Sequence, residues 1–412
     1  MRNEVGPRDR LARLATAALL LLVAALALAA CGGSSSGSSS SSTTGAAASE
    51  TETAASESTA EAPSGAPVKM GVILPLSGAI AAAGKEGLQA IELAAEEVNA
   101  EGGIDGQPLE VIAEDSQGEV QPALEAASKL VNIDKVPVTF GEYGSSVSLP
   151  VGQYLTKHKV LFITPSSAPE LRDMGPLEFG IAALDTVTAK LAAEDLQEKG
   201  LEKIAVLAPN NSYGRYIAKG LESTMKELGG SVSSSVLYQE GQSDYRTELN
   251  RMAESEPDAY VYASYGADAA TINKDAYEMG LSETPWYGIY LSADIAEADP
   301  VSTNGQIGID QAIAGAEGKK FTANYEKKFG EEPTAPFDAY AYDAVKTYAE
   351  AVEIAGTTEP TAVAKALEGI EHEGATGLVT FDSDGQRATV AFALVEAQNG
   401  ETKTVKIING ES

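Results

Sequence analysis

The chain has 412 residues and a formal net charge of −31, from 60 acidic and 29 basic side chains, with one cysteine and two histidines. No basic cluster interrupts the acidic folded part, which excludes a nucleic-acid partner, because a phosphate backbone is held by concentrated Lys and Arg. A lone cysteine excludes an intramolecular disulfide, so the folded part relies on its core.

In chain order, residues 1–30 begin with basic side chains and continue into an apolar run from Leu14 to Ala30. The run is alanine-rich and ends in small residues, as a signal peptide does. Leu28-Ala29-Ala30-Cys31 resembles a bacterial lipobox, in which the chain is cut before the cysteine and the thiol carries a diacylglycerol. Residues 31–67 follow as a Ser/Gly/Ala/Glu stretch with no large apolar side chain. Such a composition cannot bury a core and reads as a tether, spanning roughly 30–36 Å root-mean-square at about 5–6 Å × √n.

The remainder, from Val68 to Ser412, is large for one core and suits two lobes. Residues 68–76 read as a strand ending at a proline turn. From Gly84 to Asn99, Leu88, Ile91, Ala95 and Val98 recur at helical spacing and define one buried face. Strands are predicted at 109–115, 136–140 and 160–164, with a helix over 121–132. The alternation then repeats: strands at 202–210, 231–239 and 258–264, helices at 214–228, around 245–255 and at 267–279. This predicts an α/β fold of two lobes, each a mostly parallel sheet flanked by helices. Near the end, residues 377–400 read as two alternating strands around the turn "DSDG", a hairpin at a lobe edge.

Several chemistries are then set aside. A serine nucleophile needs a base within hydrogen-bond reach, but His158 lies in a polar "TKHK" stretch and His372 in an acidic "EHEG" turn. No Gly-x-Ser-x-Gly surrounds Ser145, and no enzymatic activity is expected. The stretch "GAIAAAGKE" (78–86) has five residues between its glycines instead of four, and Glu86 where a P-loop needs Ser or Thr. "DSDG" opens like a calcium loop but has Ala393 where the twelfth position needs a carboxylate. No cofactor or metal is expected. Binding remains. In parallel α/β sheets ligands sit beyond the carboxyl ends of strands, where helix N-termini attract anions. Two strand ends carry small hydroxyls there, "GEYGSSVS" (141–148) and "FITPSSAPEL" (162–171). These serines either clamp an anion or only cap helices.

These stretches, with "GVILPLSG" (71–78), "EEVNAEGGIDGQPLEVIAEDSQ" (96–117), "APNNSYGRYIAKGL" (208–221) and "GLVTFDSDGQ" (377–386), resemble the Leu/Ile/Val type of periplasmic solute-binding protein, a type I fold. The likeness runs over nearly all of Val68 to Gly400. It implies two α/β lobes joined by three crossovers, near Gly180–Ala183, Gly288–Leu291 and Gly377–Phe381. Lobe 1 would be 67–181 plus 290–378 and lobe 2 182–289 plus 379–410. By the same likeness Ser145 holds a ligand carboxylate, Ser167 touches carboxylate and ammonium, Ser166 offers its backbone carbonyl nearby, Tyr213 closes over the ligand, Tyr245 is an aromatic pocket position and Asp268 pairs with the ammonium. Ala83 and Tyr143 shape the pocket. An aromatic residue is common in leucine binders where this chain has Ala83, and Glu where it has Asp268, so the cleft is expected to be roomier. The implied function is a lipid-anchored, extracytoplasmic and monomeric receptor that delivers an amino acid or analogue to an ABC permease and its ATPase. A sensor of the same fold, or a receptor for an organic acid or amide, is the alternative.

Overall fold

The computed structural model describes residues 62–333 and 337–411. The signal peptide, Cys31 and nearly all of the tether lie outside the described residues. Among the described helices none is long and apolar enough to cross a membrane.

The first lobe opens with β1 (Val68–Leu74), α1 (Ala81–Ala100), β2 (Leu109–Asp115), α2 (Val120–Lys129), β3 (Val138–Gly141), α3 (Ser145–Lys157), β4 (Leu161–Thr164) and β5 (Glu178–Gly180). The strands form one parallel sheet in the order β2-β1-β3-β4-β5. Every residue of β1 except Lys69 is buried, as suits a central strand covered on both faces. On α1 the predicted stripe turns inward: Ile91, Ala95 and Val98 are buried and Leu88 packs against the same core.

The second lobe contains α4 (Asp185–Glu198), β6 (Lys203–Pro209), α5 (Ser212–Glu227), β7 (Ser231–Tyr238), α6 (Arg246–Ala253), β8 (Ala259–Tyr262), α7 (Gly266–Glu278), β9 (Trp286–Ile289), α8 (Leu291–Ile295), α9 (Pro300–Thr303) and β10 (Ile307–Gln311). The chain then returns to the first lobe with α10 (Gly315–Phe329), α11 (Phe337–Ala355), α12 (Pro360–Leu367) and the short pair β11 (His372–Gly374) and β12 (Gly377–Val379). It ends with β13 (Thr389–Gln398) and β14 (Glu401–Glu411). The second sheet has the order β14-β13-β10-β9-β8-β6-β7, parallel from β7 through β10 and antiparallel at β13 and β14.

Two expectations are corrected here. The crossing expected at Gly288–Leu291, with lobe 1 resuming at residue 290, does not occur. Strand β10 pairs in parallel with β9, Ile307 opposite Tyr287 and Ile309 opposite Ile289, so the chain stays in lobe 2 until Gln311. The buried polar residues Asp310 and Gln311 disguise β10 as a strand, because both find partners inside the fold. The hairpin is also elsewhere. The turn at 382–385 forms, closed by Gly385 N–H on the Asp382 carbonyl at 3.1 Å, but β12 and β13 then join different sheets. The long hairpin is β13–β14, turning at Asn399-Gly400 with φ of 57° and 87°. That dipeptide is a strong two-residue turn signal, since both central positions need positive φ.

The crossovers converge on Arg387, which is 0% exposed. Its guanidinium donates to the carbonyl of Ile181 at 3.0 Å, to Thr376 Oγ1 at 3.0 Å and carbonyl at 3.3 Å, and to the Leu378 carbonyl at 3.0 Å. The Asp343 carboxylate of α11 accepts from the Ala375 and Thr376 amides at 2.6 and 2.8 Å. A buried charge is tolerated only when its donors are matched in this way.

Candidate functional site

Both sheets turn the carboxyl ends of their strands toward the boundary between the lobes, where binding sites of open parallel sheets are found. On the first lobe, Ser145 is the first residue of α3, and Gly144 before it is the N-cap, with no side-chain cap bond. Ser145 therefore does not serve as the cap. The first amides of a helix lack intrahelical acceptors, and with the dipole they favour an anion. The Ser166 hydroxyl donates to Ser145 Oγ at 3.1 Å, and both serines are buried. Beneath them the Ser148 hydroxyl donates to the Glu142 carbonyl at 2.6 Å, and the Ser166 amide to Thr164 Oγ1 at 3.1 Å. Glu142 itself bonds Ser116 and accepts from the Tyr143 amide at 2.7 Å. Burial pushes its carboxyl up to about 7, against the opposing pull of those donors.

Ser167 lies next to the entry of α4: its carbonyl accepts from the Asp185 amide at 2.8 Å. Asp185 is 0% exposed, and neither carboxylate oxygen has a hydrogen-bond partner among the described residues. Burial drives its pKa well above the usual carboxylate range; the nearby Ser167 hydroxyl partly offsets this and the Glu170 charge adds to it.

The second lobe contributes aromatic rings. Asn211 caps α5 by accepting from the Gly214 amide at 3.0 Å, and its amide donates to the Tyr265 hydroxyl at 2.8 Å. Tyr213, in the first turn of α5, stands 6.3 Å from Tyr265 and 6.1 Å from Tyr290, ring centre to ring centre. Its hydroxyl donates to the Ile289 carbonyl at 3.4 Å. Tyr290 follows β9 with φ of 64°, and its hydroxyl meets Thr188 and Gln311, each at 3.0 Å. The Tyr290 ring makes an edge contact with Phe337 of lobe 1 at 5.4 Å, and Phe337 lies 5.9 Å from Tyr143. Burial first, then Asp294, Tyr290 and Asp185, push the Tyr213 hydroxyl well above its ordinary value, so it is a neutral donor.

The Tyr143 side chain lies across α1 at Gly87. A Cβ at residue 87 would come within 1.8 Å of the Tyr143 hydroxyl, so only glycine admits this placement. Ala83 stands half-buried in the first turn of the same helix.

Of the sequence-predicted residues, Ser145 and Ser166 share a hydrogen bond at the strand ends, Ser167 adjoins Asp185, and Tyr213 faces this group from lobe 2. Tyr245 and Asp268 bond each other and not the serines. Tyr245 is 0% exposed inside a separate cluster with Leu249, Met252 and Trp286. Its hydroxyl donates to Asp268 Oδ1 at 2.6 Å, and the Gly241 amide donates to both Asp268 oxygens at 3.0 and 3.1 Å. The Asp268 carboxylate, in the first turn of α7, is thus satisfied by its own lobe. Asp185, Tyr265, Tyr290 and Phe337, which adjoin these residues, were not singled out from the sequence. Asp185 could have been found as the acid opening a helix directly after the first crossover. Tyr290 left no comparable signal, since its position depends on β9 ending where it does.

Neither histidine reaches Ser145. His158 bonds the Tyr154 carbonyl at 2.7 Å and His372 bonds Glu350 at 2.6 Å.

Two α/β lobes whose strand ends bring hydroxyls, a buried acid and aromatic rings together define a solute-binding protein. Residues 67–402 match the family model described as periplasmic binding protein, and the chain belongs to that family. It is similar to the leucine-, isoleucine-, valine-, threonine- and alanine-binding protein of Pseudomonas aeruginosa, 27% identical over 342 residues, which cover 82% of this chain and 91% of that one. Leu/Ile/Val-binding protein homolog 7 of Brucella abortus is 25% identical over 378 residues, 86% of this chain and 94% of the relative. Among solved structures, the branched-chain amino acid transporter substrate binding protein LivJ of Streptococcus pneumoniae, in complex with isoleucine, is 25% identical. It superposes with a TM-score of 0.76 over 84% of this chain and 100% of that one.

Proposed function

We propose that the protein is an extracytoplasmic receptor for a free amino acid or close analogue, held at the membrane by lipid on Cys31 and handing its ligand to an ABC importer. The relatives are Leu/Ile/Val-binding proteins, and LivJ was solved with isoleucine. The observation that carries the reading is Asp185: a fully buried carboxylate whose oxygens meet no donor at ordinary hydrogen-bond geometry among the described residues, with the Ser167 hydroxyl beside it. An unpaired buried charge costs several kcal/mol, so burial favours the neutral carboxyl in the empty site, and a ligand ammonium lets it ionise. Ser145, with the first amides of α3, and Ser166 then hold the ligand carboxylate, while Tyr213 closes over it from lobe 2. Contacts from both lobes are made together only in the closed form, so the ligand shifts the population toward it. The ring lining formed by Tyr143, Tyr213, Tyr290 and Phe337 favours a second reading, an aromatic carboxylate held by the serines alone.

Calorimetry of the purified chain against L-amino acids, γ-aminobutyrate and aromatic acids separates the two. Amino-acid binding that Asp185→Asn weakens at least about 100-fold, and Asp268→Ala leaves within about threefold apart from a loss of stability, is the expected result. Binding of amine-free acids that Asp185→Asn leaves unchanged would replace the amino-acid reading by the second one.

A further inference from the structure

Two residues near the start of α5 reach the first lobe, on either side of Tyr213, which the receptor reading places at the ligand. The Ser212 amide donates to Ser146 Oγ, at the start of α3, at 3.2 Å. One turn further on, the Tyr216 hydroxyl bonds a Glu170 oxygen. Positions 212 and 216, four apart, are neighbours on one helix face. The end that carries them is fixed in lobe 2, because the capping Asn211 also donates to Glu240 at 3.1 Å and to the Tyr265 hydroxyl at 2.8 Å.

The receiving side is equally well held. Glu170 sits in the 3₁₀ turn Pro169–Asp173 of lobe 1. Arg172 of the same turn bonds Asp382 at 2.9 Å and Asp384 at 3.0 Å, in the turn beside the third crossover. That turn is itself held on β5 of lobe 1, where the Gly180 amide donates to the Gly385 carbonyl at 3.0 Å, so Glu170 leaves Tyr216 when the lobes part.

We propose that Tyr216–Glu170, with the Ser212 amide on Ser146, is a latch between the lobes that fixes how long the closed protein holds its ligand, whatever that ligand's side chain. This rests on the closure step of the receptor reading. Contacts that exist only between closed lobes add stability to that state and none to the open one. Removing them accelerates opening, hence dissociation, with little effect on encounter.

The test is Tyr216→Phe, which removes one hydroxyl and keeps the ring, with Glu170→Gln as the second variant. Stopped-flow dissociation is measured for every amino acid that the wild type binds. The expected result is a dissociation rate raised about tenfold in Tyr216→Phe, by a similar factor for each ligand. Association rates and the thermal midpoint of the ligand-free protein stay unchanged. Unaltered dissociation in both variants overturns the latch, as does a lowered midpoint of the ligand-free protein with unaltered kinetics, which marks a merely structural contact. If the wild type binds no amino acid, the receptor reading fails on its own. The same dissociation measurement is then made with the aromatic acid that the wild type binds: a raised rate in Tyr216→Phe supports the latch and an unaltered one overturns it.

Discussion

Asp185 and Asp268 are both acids at the start of a helix, and what separates them is their surroundings. The Gly241 amide and the Tyr245 hydroxyl bond Asp268, whereas Asp185 is buried with only the Ser167 hydroxyl beside it to offset its burial. A third acid, Glu142, gives a prediction in pH. Its carboxyl titrates at about 7 in the fold against an ordinary value of 4.5. The stability this group contributes is therefore full below about pH 4.5 and is lost as the pH rises through 7. At about 1.4 kcal/mol per unit the loss is about 3 kcal/mol. Glu142→Gln keeps acceptors for Ser116 and cannot ionise, so its urea midpoint should fall less than the wild type's between pH 5 and pH 8. Parallel falls would show that Glu142 does not titrate there; Asp310, also raised to about 7 by burial, would then dominate. At this scale the sequence displayed the hydroxyls but could not rank the acids, because burial and partnering are tertiary properties. Ser145 and Ser166 stand at strand ends that periodicity alone exposes, whereas the isolation of Asp185 depends on a lobe boundary.

Among the elements, α5 and the crossovers do the mechanical work. Strand and helix periods foretold most elements up to Glu278, though not β5 or α4, because parallel strands read as unbroken apolar runs and α1 shows one apolar face. The pattern failed where polar residues were buried with partners, as in β10, and where a turn that does form, at 382–385, obscured the stronger Asn399-Gly400 signal. Arg387 belongs to the same group, since a buried arginine looks like a surface one in sequence. Its donors meet carbonyls of the first and third crossovers. Arg387→Met leaves those acceptors unmatched in a dry site and should destabilise the protein by about 3–5 kcal/mol in urea unfolding. A variant as stable as the wild type would show that the crossovers hold without it.

For the molecule as a whole, the folded part ends at its N-terminal side in residues whose composition suits a tether leading back to Cys31. The receptor reading puts that cysteine at the membrane, and a lipoprotein's two or more acyl chains make the attachment lasting where one would not. Cys31→Ser should therefore move the protein from the membrane fraction to the soluble one while leaving its ligand affinity unchanged. Continued sedimentation with membranes would refute the anchor.

The first sheet has all five strands in place by Gly180, whereas β10 finds its outer neighbour only in β13, and β13 in β14, the segment 389–411. A chain made from its N-terminus thus finishes one lobe's sheet early and carries the other with an open edge until nearly its last residues. An unpaired edge is a template for pairing with other chains. The interval between β10 and β14 is accordingly when a newly made chain is most exposed to aggregation, and a nascent chain stalled before residue 389 would be the species that a chaperone has to guard.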